Sequence, residues 1–216
     1  PKIGLYKRKR NAKNRHRLSR SYGSHMQISK NISCCAICNK SDLEAIWLLP
    51  KFPFTEKYGT YDSTKITVLD QEILICKHCG HVQLKKQVDP KELYTSSEYS
   101  FRTAESASAR VGVTTFFEFF QNVSQGKNFK TLLDVGGNDL YLAKILQNRA
   151  LNKYVVDPVG ASDEIKGITV ISEFIENITL PSNIDLVFCR HVLEHLSDPK
   201  NVLKKLLAET TDALFI

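Results

Sequence analysis

The sequence predicts an α/β protein built on a parallel, doubly wound sheet, with a second, small cysteine-bearing domain ahead of it. Three observations carry this expectation. From Thr131 onward, short apolar runs alternate with helical patterns at a spacing that suits βαβ units. The first two runs are joined through a glycine-bearing turn, and each carries a carboxylate near its carboxyl end, Asp134 and Asp157. Upstream, Cys35-x-x-Cys38 and Cys76-x-x-Cys79 form two tight pairs.

A chain of 216 residues has room for one ordinary domain and a small one. With 42% hydrophobic and 25% charged residues it reads as globular. The formal charge of +7 is concentrated at one end. Residues 1–25 hold nine Lys/Arg and no acid, which leaves 21 basic against 23 acidic residues from Met26 onward. The near-neutral body gives no argument for a nucleic-acid partner. The basic arm, residues 1–25, lacks apolar periodicity and is expected to be flexible. Its last residues, Gly23-Ser24-His25, with Met26 match the linker that an expression vector leaves behind, which would start the natural sequence at Met26. The rival reading is a natural arm that binds RNA or another polyanion. No apolar run approaches the roughly 20 residues of a membrane span, and no secretory h-region follows the basic end. A cytoplasmic protein without a membrane partner is expected. The paired cysteines fit that compartment, where they indicate metal rather than disulfides.

Residues 26–100 are the expected small domain. It is irregular, with β-like runs at 66–69 and 72–75 and with Pro50, Pro53 and Pro90 as punctuation. Residues 101–216 are the expected α/β domain. A helix over 101–125 opens it, and Val113, Phe116, Phe117, Phe119, Phe120 and Val123 form a broad apolar stripe that requires a partner surface. Strands follow at 131–135, 153–157, 168–171, 184–189 and 212–216, with helices at 139–149, 173–177 and 198–209. The sequence stops within the fifth strand. A sheet of this type ordinarily continues, so the domain reads as partial and some of the active site is expected to be missing from it.

Two Cys-x-x-Cys knuckles give four thiolates, enough for a closed tetrahedral zinc site, and closure makes such a zinc structural. Cys35, Cys38, Cys76 and Cys79 are the candidate ligands, with Cys34 as an alternative to Cys35. Four free buried cysteines would rarely fall at this spacing, and a redox pair needs only one Cys-x-x-Cys. Cys189, at a strand end, reads as a small core residue.

The turn Asp134-Val135-Gly136-Gly137-Asn138-Asp139 departs from the dinucleotide pattern G-x-G-x-x-G. It is closer to the acidic-x-Gly turn of S-adenosylmethionine enzymes. A carboxylate at the strand end suits the cationic methionine end of that cofactor and repels a pyrophosphate. Asp157, ending the second apolar run, is placed to accept hydrogen bonds from two ribose hydroxyls. Leu140 stands where the last glycine of the pattern is expected, and a bulky side chain there would narrow the site. In the run from Ile184 to Pro199 a buried strand opens into Arg190, His191, Glu194 and His195 at its carboxyl end, where ligand crevices of open α/β sheets lie. His195 is the candidate general base and Glu194 its orienting partner or a substrate contact. The HxxEH spacing also matches a zinc-protease helix, but Asp198-Pro199 ends that helix too early.

With these residues in place the chain resembles the class I S-adenosylmethionine-dependent methyltransferases. It resembles in particular the sugar C-methyltransferase type with an amino-terminal zinc-binding domain. The resemblance runs from about Cys35 to Ile216. It rests on Cys76-Lys-His-Cys79-Gly80-His-Val82-Gln83-Leu84, on Asp89–Tyr94 with Glu98-Tyr99-Ser100, on Gly137-Asn138-Asp139-Leu140-Tyr141-Leu142, and on Arg190–His195. It implies a Rossmann-like fold, S-adenosylmethionine bound at Asp134, Gly136, Gly137, Asn138, Asp157, Arg190 and His191, and a structural zinc. It further implies methyl transfer to carbon of a nucleotide-linked deoxy-keto sugar, with Tyr99 and His195 in polar active-site roles. Transfer to oxygen or nitrogen of another acceptor remains a variant. An inactive methyltransferase fold serving as a scaffold, associated with RNA or ribosomes through the arm, is the alternative.

Overall fold

The computed structural model describes residues 29–53, 68–94, 102–146, 150–160 and 165–216. The basic arm, Tyr99 and the expected domain boundary near residue 100 lie outside them, as do residues 66 and 67 of the first β-like run.

The small domain is built from short antiparallel strands. Strand β1 (Ser29–Asn31), β2 (Leu43–Pro53), β3 (Val68–Cys76), β4 (Val82–Leu84) and β5 (Lys86–Val88) pair as β2-β3-β4 and, separately, β1-β5. The described part of the first β-like run and the whole of the second thus belong to one strand, β3. The short helix α1 (Pro90–Tyr94) leads away from this domain. Gln83 ties the two cysteine turns together: its side-chain amide donates to the Cys34 carbonyl at 3.2 Å and its oxygen accepts from Ala36 N–H at 2.9 Å.

Helix α2 (Ala107–Ser124) starts at Ser106, whose hydroxyl accepts from Ala109 N–H. It ends where Gln125 and Gly126 turn left-handed. Five parallel strands follow: β6 (Phe129–Val135), β7 (Ala150–Val156), β8 (Ile168–Ile171), β9 (Ile184–Cys189) and β10 (Thr210–Phe215), in the order β10-β9-β6-β7-β8. Strands β6 and β9 are buried almost throughout, as parallel strands covered on both faces must be. Helices α3 (Tyr141–Ile145) and α4 (Pro199–Glu209) complete the domain; Asp198 caps α4 by accepting from Asn201 N–H at 3.0 Å, and Pro199 occupies its first turn.

The aromatic stripe of α2 finds the partner it requires. Phe120 packs against Phe129, Phe188 and Phe215 with ring centroids 5.1–5.9 Å apart, and Phe116 meets Phe188 at 5.2 Å. A second apolar cluster, with Leu133, Val187, Val202 and Leu206, packs α4 against the sheet. Because β9 and β7 lie on opposite sides of β6, the chain reverses direction of growth at β6/β9, and a crevice opens there at the carboxyl ends.

One expected element is absent. Residues 173–177 form a turn rather than a helix. Glu173 accepts from the Asn177 side chain and from Phe174 N–H, while Lys205 of α4 donates to the carbonyls of Ile175 and Ile178. Those carbonyls are satisfied by an ammonium, so the segment has no need of a helical ladder. The helix expected over 139–149 is shorter, ending at Ile145, and the described part of the helix expected over 101–125 is a 3₁₀ turn (Thr103–Glu105) followed by α2.

Candidate functional site

The four knuckle cysteines converge. The sulfurs of Cys35, Cys38, Cys76 and Cys79 all lie within 4.8 Å of one another, with Cys35–Cys79 and Cys38–Cys76 both at 3.6 Å. Thiolates about 2.3 Å from one zinc ion sit about 3.8 Å apart along a tetrahedral edge, so the quartet fits zinc. The two knuckles repeat one geometry. Asn39 N–H donates to the Cys35 carbonyl and Gly80 N–H to the Cys76 carbonyl, and both Asn39 (φ 59°) and Gly80 (φ 75°) are left-handed. The sequence pointed to Gly80 alone; Asn39, four residues after its own first cysteine, is the equivalent that was not read. Cys34 is exposed and stands outside the quartet. Cys189 is a buried thiol, pushed up to about 12 chiefly by burial, and is inert in the core.

At the crevice the glycine turn is shaped by close approach. Gly136 is left-handed (φ 72°), and a β-carbon on it would come within 2.4 Å of the Val192 side chain. A β-carbon on Gly137 would lie 2.4 Å from Val155 Cγ1 and 2.9 Å from an Asp134 oxygen. Asn138 N–H donates to Asp157 Oδ2 and Val159 N–H to Asp157 Oδ1, both at 2.9 Å. The Asp157 carboxylate is therefore fixed in place from two sides while still bordering the cavity.

Asp134 is almost fully buried, and no donor among the described residues meets its Oδ2. Burial raises its pKa to about 7; the nearby Arg190 cation opposes the rise and Asp157 adds to it. Arg190 is itself shifted down by burial and lies over the Phe116 ring, 5.3 Å from its centroid. An orphaned, buried carboxyl beside a glycine cradle fits a cationic ligand group.

A cavity of about 600 Å³ runs from this turn toward the small domain. Gly136, Asn138, Asp157, Arg190, His191 and His195 border it, while Asp134 and Gly137 face a smaller crevice beside it. Leu140 takes the left-handed conformation expected of a glycine (φ 64°), yet it does not narrow the site. Its side chain is fully buried with Ala143 and Val155, among Ile165, Ile168 and Val170, and does not border the cavity.

The segment after β9 is a loop closed by a 3₁₀ turn, Leu193–His195. Glu194 lies 3.8 Å from His191 Nδ1 and 4.0 Å from His195 Nε2, and all three side chains are well exposed. His195 Nδ1 is 2.8 Å from the hydroxyl of Tyr94, a residue of α1 that sequence reasoning placed in the link motif but assigned no role in the site. Asp139 was read only as part of the turn; its Oδ2 also accepts from Ala104 N–H at 2.6 Å and so holds the 103–105 segment beside the cavity.

Two family models match the chain: one described as "Putative zinc binding domain" over residues 35–94, and one described as "Methyltransferase domain" over residues 109–213. The parallel sheet, but for the end of β10, thus falls within the residues matched by the methyltransferase model, and the cysteine quartet within those matched by the zinc-binding model that precede it. Among solved structures, the chain is similar to the plantazolicin methyltransferase BpumL in complex with a pentazolic desmethylPZN analog and SAH, at 20% identity and a TM-score of 0.41, covering 50% of this chain and 45% of that one. The complex of BpumL with a triazolic analog gives the same identity and coverage at a TM-score of 0.40. The YcgJ protein from Bacillus subtilis follows at 16% identity and a TM-score of 0.39, covering 46% of this chain and 47% of that one. The chain thus aligns over less than half the length of these relatives. No curated protein sequence matches it. No helix among the described residues is long and apolar enough to cross a membrane.

Proposed function

We propose that the chain is an S-adenosylmethionine-dependent methyltransferase acting on a small sugar or nucleotide-linked sugar, with carbon as the leading target atom and oxygen or nitrogen as the variants. The observation that carries the methyl-donor part is the pairing of two carboxylates across one glycine turn. Asp157 is held by two backbone N–H groups with acceptor capacity left for ribose hydroxyls, and Asp134 is buried with an oxygen unmet. When bound, S-adenosylmethionine supplies an electrophilic methyl group on a sulfonium. Asp134 would hold its positive methionine end and Arg190 its carboxylate. His191 is assigned with Arg190 to the cofactor, and His195 and Glu194 to the acceptor; Tyr99, outside the described residues, is assigned to the acceptor on the resemblance alone. The zinc is structural, since four thiolates leave no open position. The sugar assignment rests on the resemblance of the knuckle, link and turn motifs. The scaffold reading draws no support from Leu140, whose side chain leaves the cavity open. A polyanion partner is proposed only for residues 1–25.

Calorimetric titration with S-adenosylmethionine and with its demethylated product tests the cofactor part; absence of heat at millimolar ligand, with folded protein, discards it. Incubation with nucleotide-linked deoxy-keto sugars, followed by mass spectrometry for a single added methyl group, tests the acceptor part.

A further inference from the structure

His195 was expected to act as a base, but the geometry around its two ring nitrogens argues for a different role. Nδ1 lies 2.8 Å from the Tyr94 hydroxyl, a hydrogen-bond distance, and the two rings meet edge to face with centroids 5.7 Å apart. Nε2 lies 4.0 Å from a Glu194 oxygen, beyond hydrogen-bond range but within its field. A phenol donates a proton more readily than it accepts one, and a carboxylate favours a proton on the nitrogen it faces. Both effects place the neutral ring's proton on Nε2 and leave Nδ1 as the acceptor from Tyr94. The one basic nitrogen is then occupied.

Resting on the methyltransferase reading for its meaning, we propose that Tyr94 is a positioning residue of the acceptor site: its hydroxyl locks His195 as the Nε2–H tautomer. His195 thereby presents a hydrogen-bond donor to the acceptor. Both side chains border the cavity, and the Nε2–H group lacks a close carboxylate partner in Glu194. Such a donor suits an acceptor that develops negative charge on an oxygen next to the methylated atom, as the oxygen of a carbonyl does when its α-carbon loses a proton. Tyr94 comes from α1, at the end of the segment that carries the cysteine quartet, 101 residues before His195. The zinc-binding domain thus contributes a side chain to the methyltransferase site.

The test is a two-bond proton–nitrogen NMR correlation on the full zinc-loaded chain labelled with nitrogen-15 histidine, at a pH where the imidazoles are neutral. His195→Gln assigns the signals. The expected wild-type pattern is a bare Nδ1 and a protonated Nε2. In Tyr94→Phe, which keeps the ring and removes the hydroxyl, both nitrogens are expected to move toward the averaged position of two exchanging tautomers. Zinc content and melting temperature report whether that variant keeps its fold. A proton on Nδ1, or averaging already in the wild type, overturns the proposal without any variant, and so does an unchanged pattern in folded Tyr94→Phe. Titrating the same wild-type sample with S-adenosylmethionine separates the two readings. Missing cofactor binding removes the methyltransferase assignment, and only the NMR pattern decides the Tyr94 lock.

Discussion

At Asp134, burial and ligand chemistry pull in opposite directions. The carboxyl is held up to about 7 by desolvation, against an ordinary value of 3.8. A raised acid binds its proton more tightly in the folded chain than in the unfolded one. Its contribution therefore favours the fold at pH below about 4, declines as pH rises, and is fully lost above about 7. Asp134→Asn is expected to remove that slope, as measured by urea unfolding at pH 5 and pH 8. A cationic ligand favours the ionised form, so S-adenosylmethionine binding is expected to strengthen as pH rises to about 7 and to release a proton below it. Calorimetry in buffers of different ionisation heat reads that proton directly. Asp157 makes a simpler case. Asp157→Ala deletes the acceptor of two backbone N–H groups and of the proposed ribose contacts, each charge-assisted and worth about 1.5–3 kcal/mol. At least a tenfold weaker cofactor affinity is expected. Both carboxylates were legible in the sequence, because strand-end position alone places them at the crevice. Tyr94 was not, because its role arises from a contact across 101 residues that no local pattern encodes.

At the scale of elements, the strand–turn–helix unit from β6 through α3 shows why a motif can be misread at one position and still be sound. Leu140 was read as an intrusion because the pattern asks for glycine. The backbone supplies the glycine conformation anyway, and the side chain helps pack α3 against β7. Leu140→Gly is thus expected to be destabilising. The strain relieved is about 1–2 kcal/mol, while emptying a fully buried leucine site costs about 2–5 kcal/mol. A lower urea midpoint with no gain in cofactor affinity is the expected result; a gain in both would mean that Leu140 does obstruct the site. Gly137 is the stricter position. Gly137→Ala sets a β-carbon 2.4 Å from Val155 Cγ1, so the turn must lift off β7. Loss of cofactor affinity by more than about tenfold is expected, with partial recovery in Gly137→Ala/Val155→Ala, because only one of the two close contacts is relieved. The turn at 173–177 marks the opposite failure. Its sequence has helical composition, but the Lys205 ammonium claims the carbonyls that a helix would use, and that partner lies on another element.

Across the whole molecule the two domains differ in what holds them together. The methyltransferase domain has a continuous core on both faces of its parallel sheet, built from Phe120, Leu132, Phe188 and Leu186 on one side and Leu133, Val187 and Leu206 on the other. Among its described residues the small domain buries only Cys35, Gln71, Leu74 and Cys76 and exposes Trp47, Leu48 and Ile46. Four clustered thiolates stand in for the missing core, and zinc binding on the order of 10 kcal/mol is what orders such a domain. Zinc removal by a strong chelator is therefore expected to unfold the small domain first. Hydrogen exchange followed by mass spectrometry reads this by segment: protection is lost over 29–53 and 68–88 and retained over β6, β7 and β9. The consequence reaches the site, because α1 follows directly on β5 and carries Tyr94 to His195. The metal-free protein is expected to keep S-adenosylmethionine binding within about an order of magnitude, since Asp134 and Asp157 sit at the carboxyl ends of β6 and β7 and are joined through the turn between them. Its His195 nitrogens are expected to shift as they do in Tyr94→Phe. Loss of protection in β6 together with the small domain would instead mean that the chain unfolds as one cooperative unit, with the zinc supporting the whole fold.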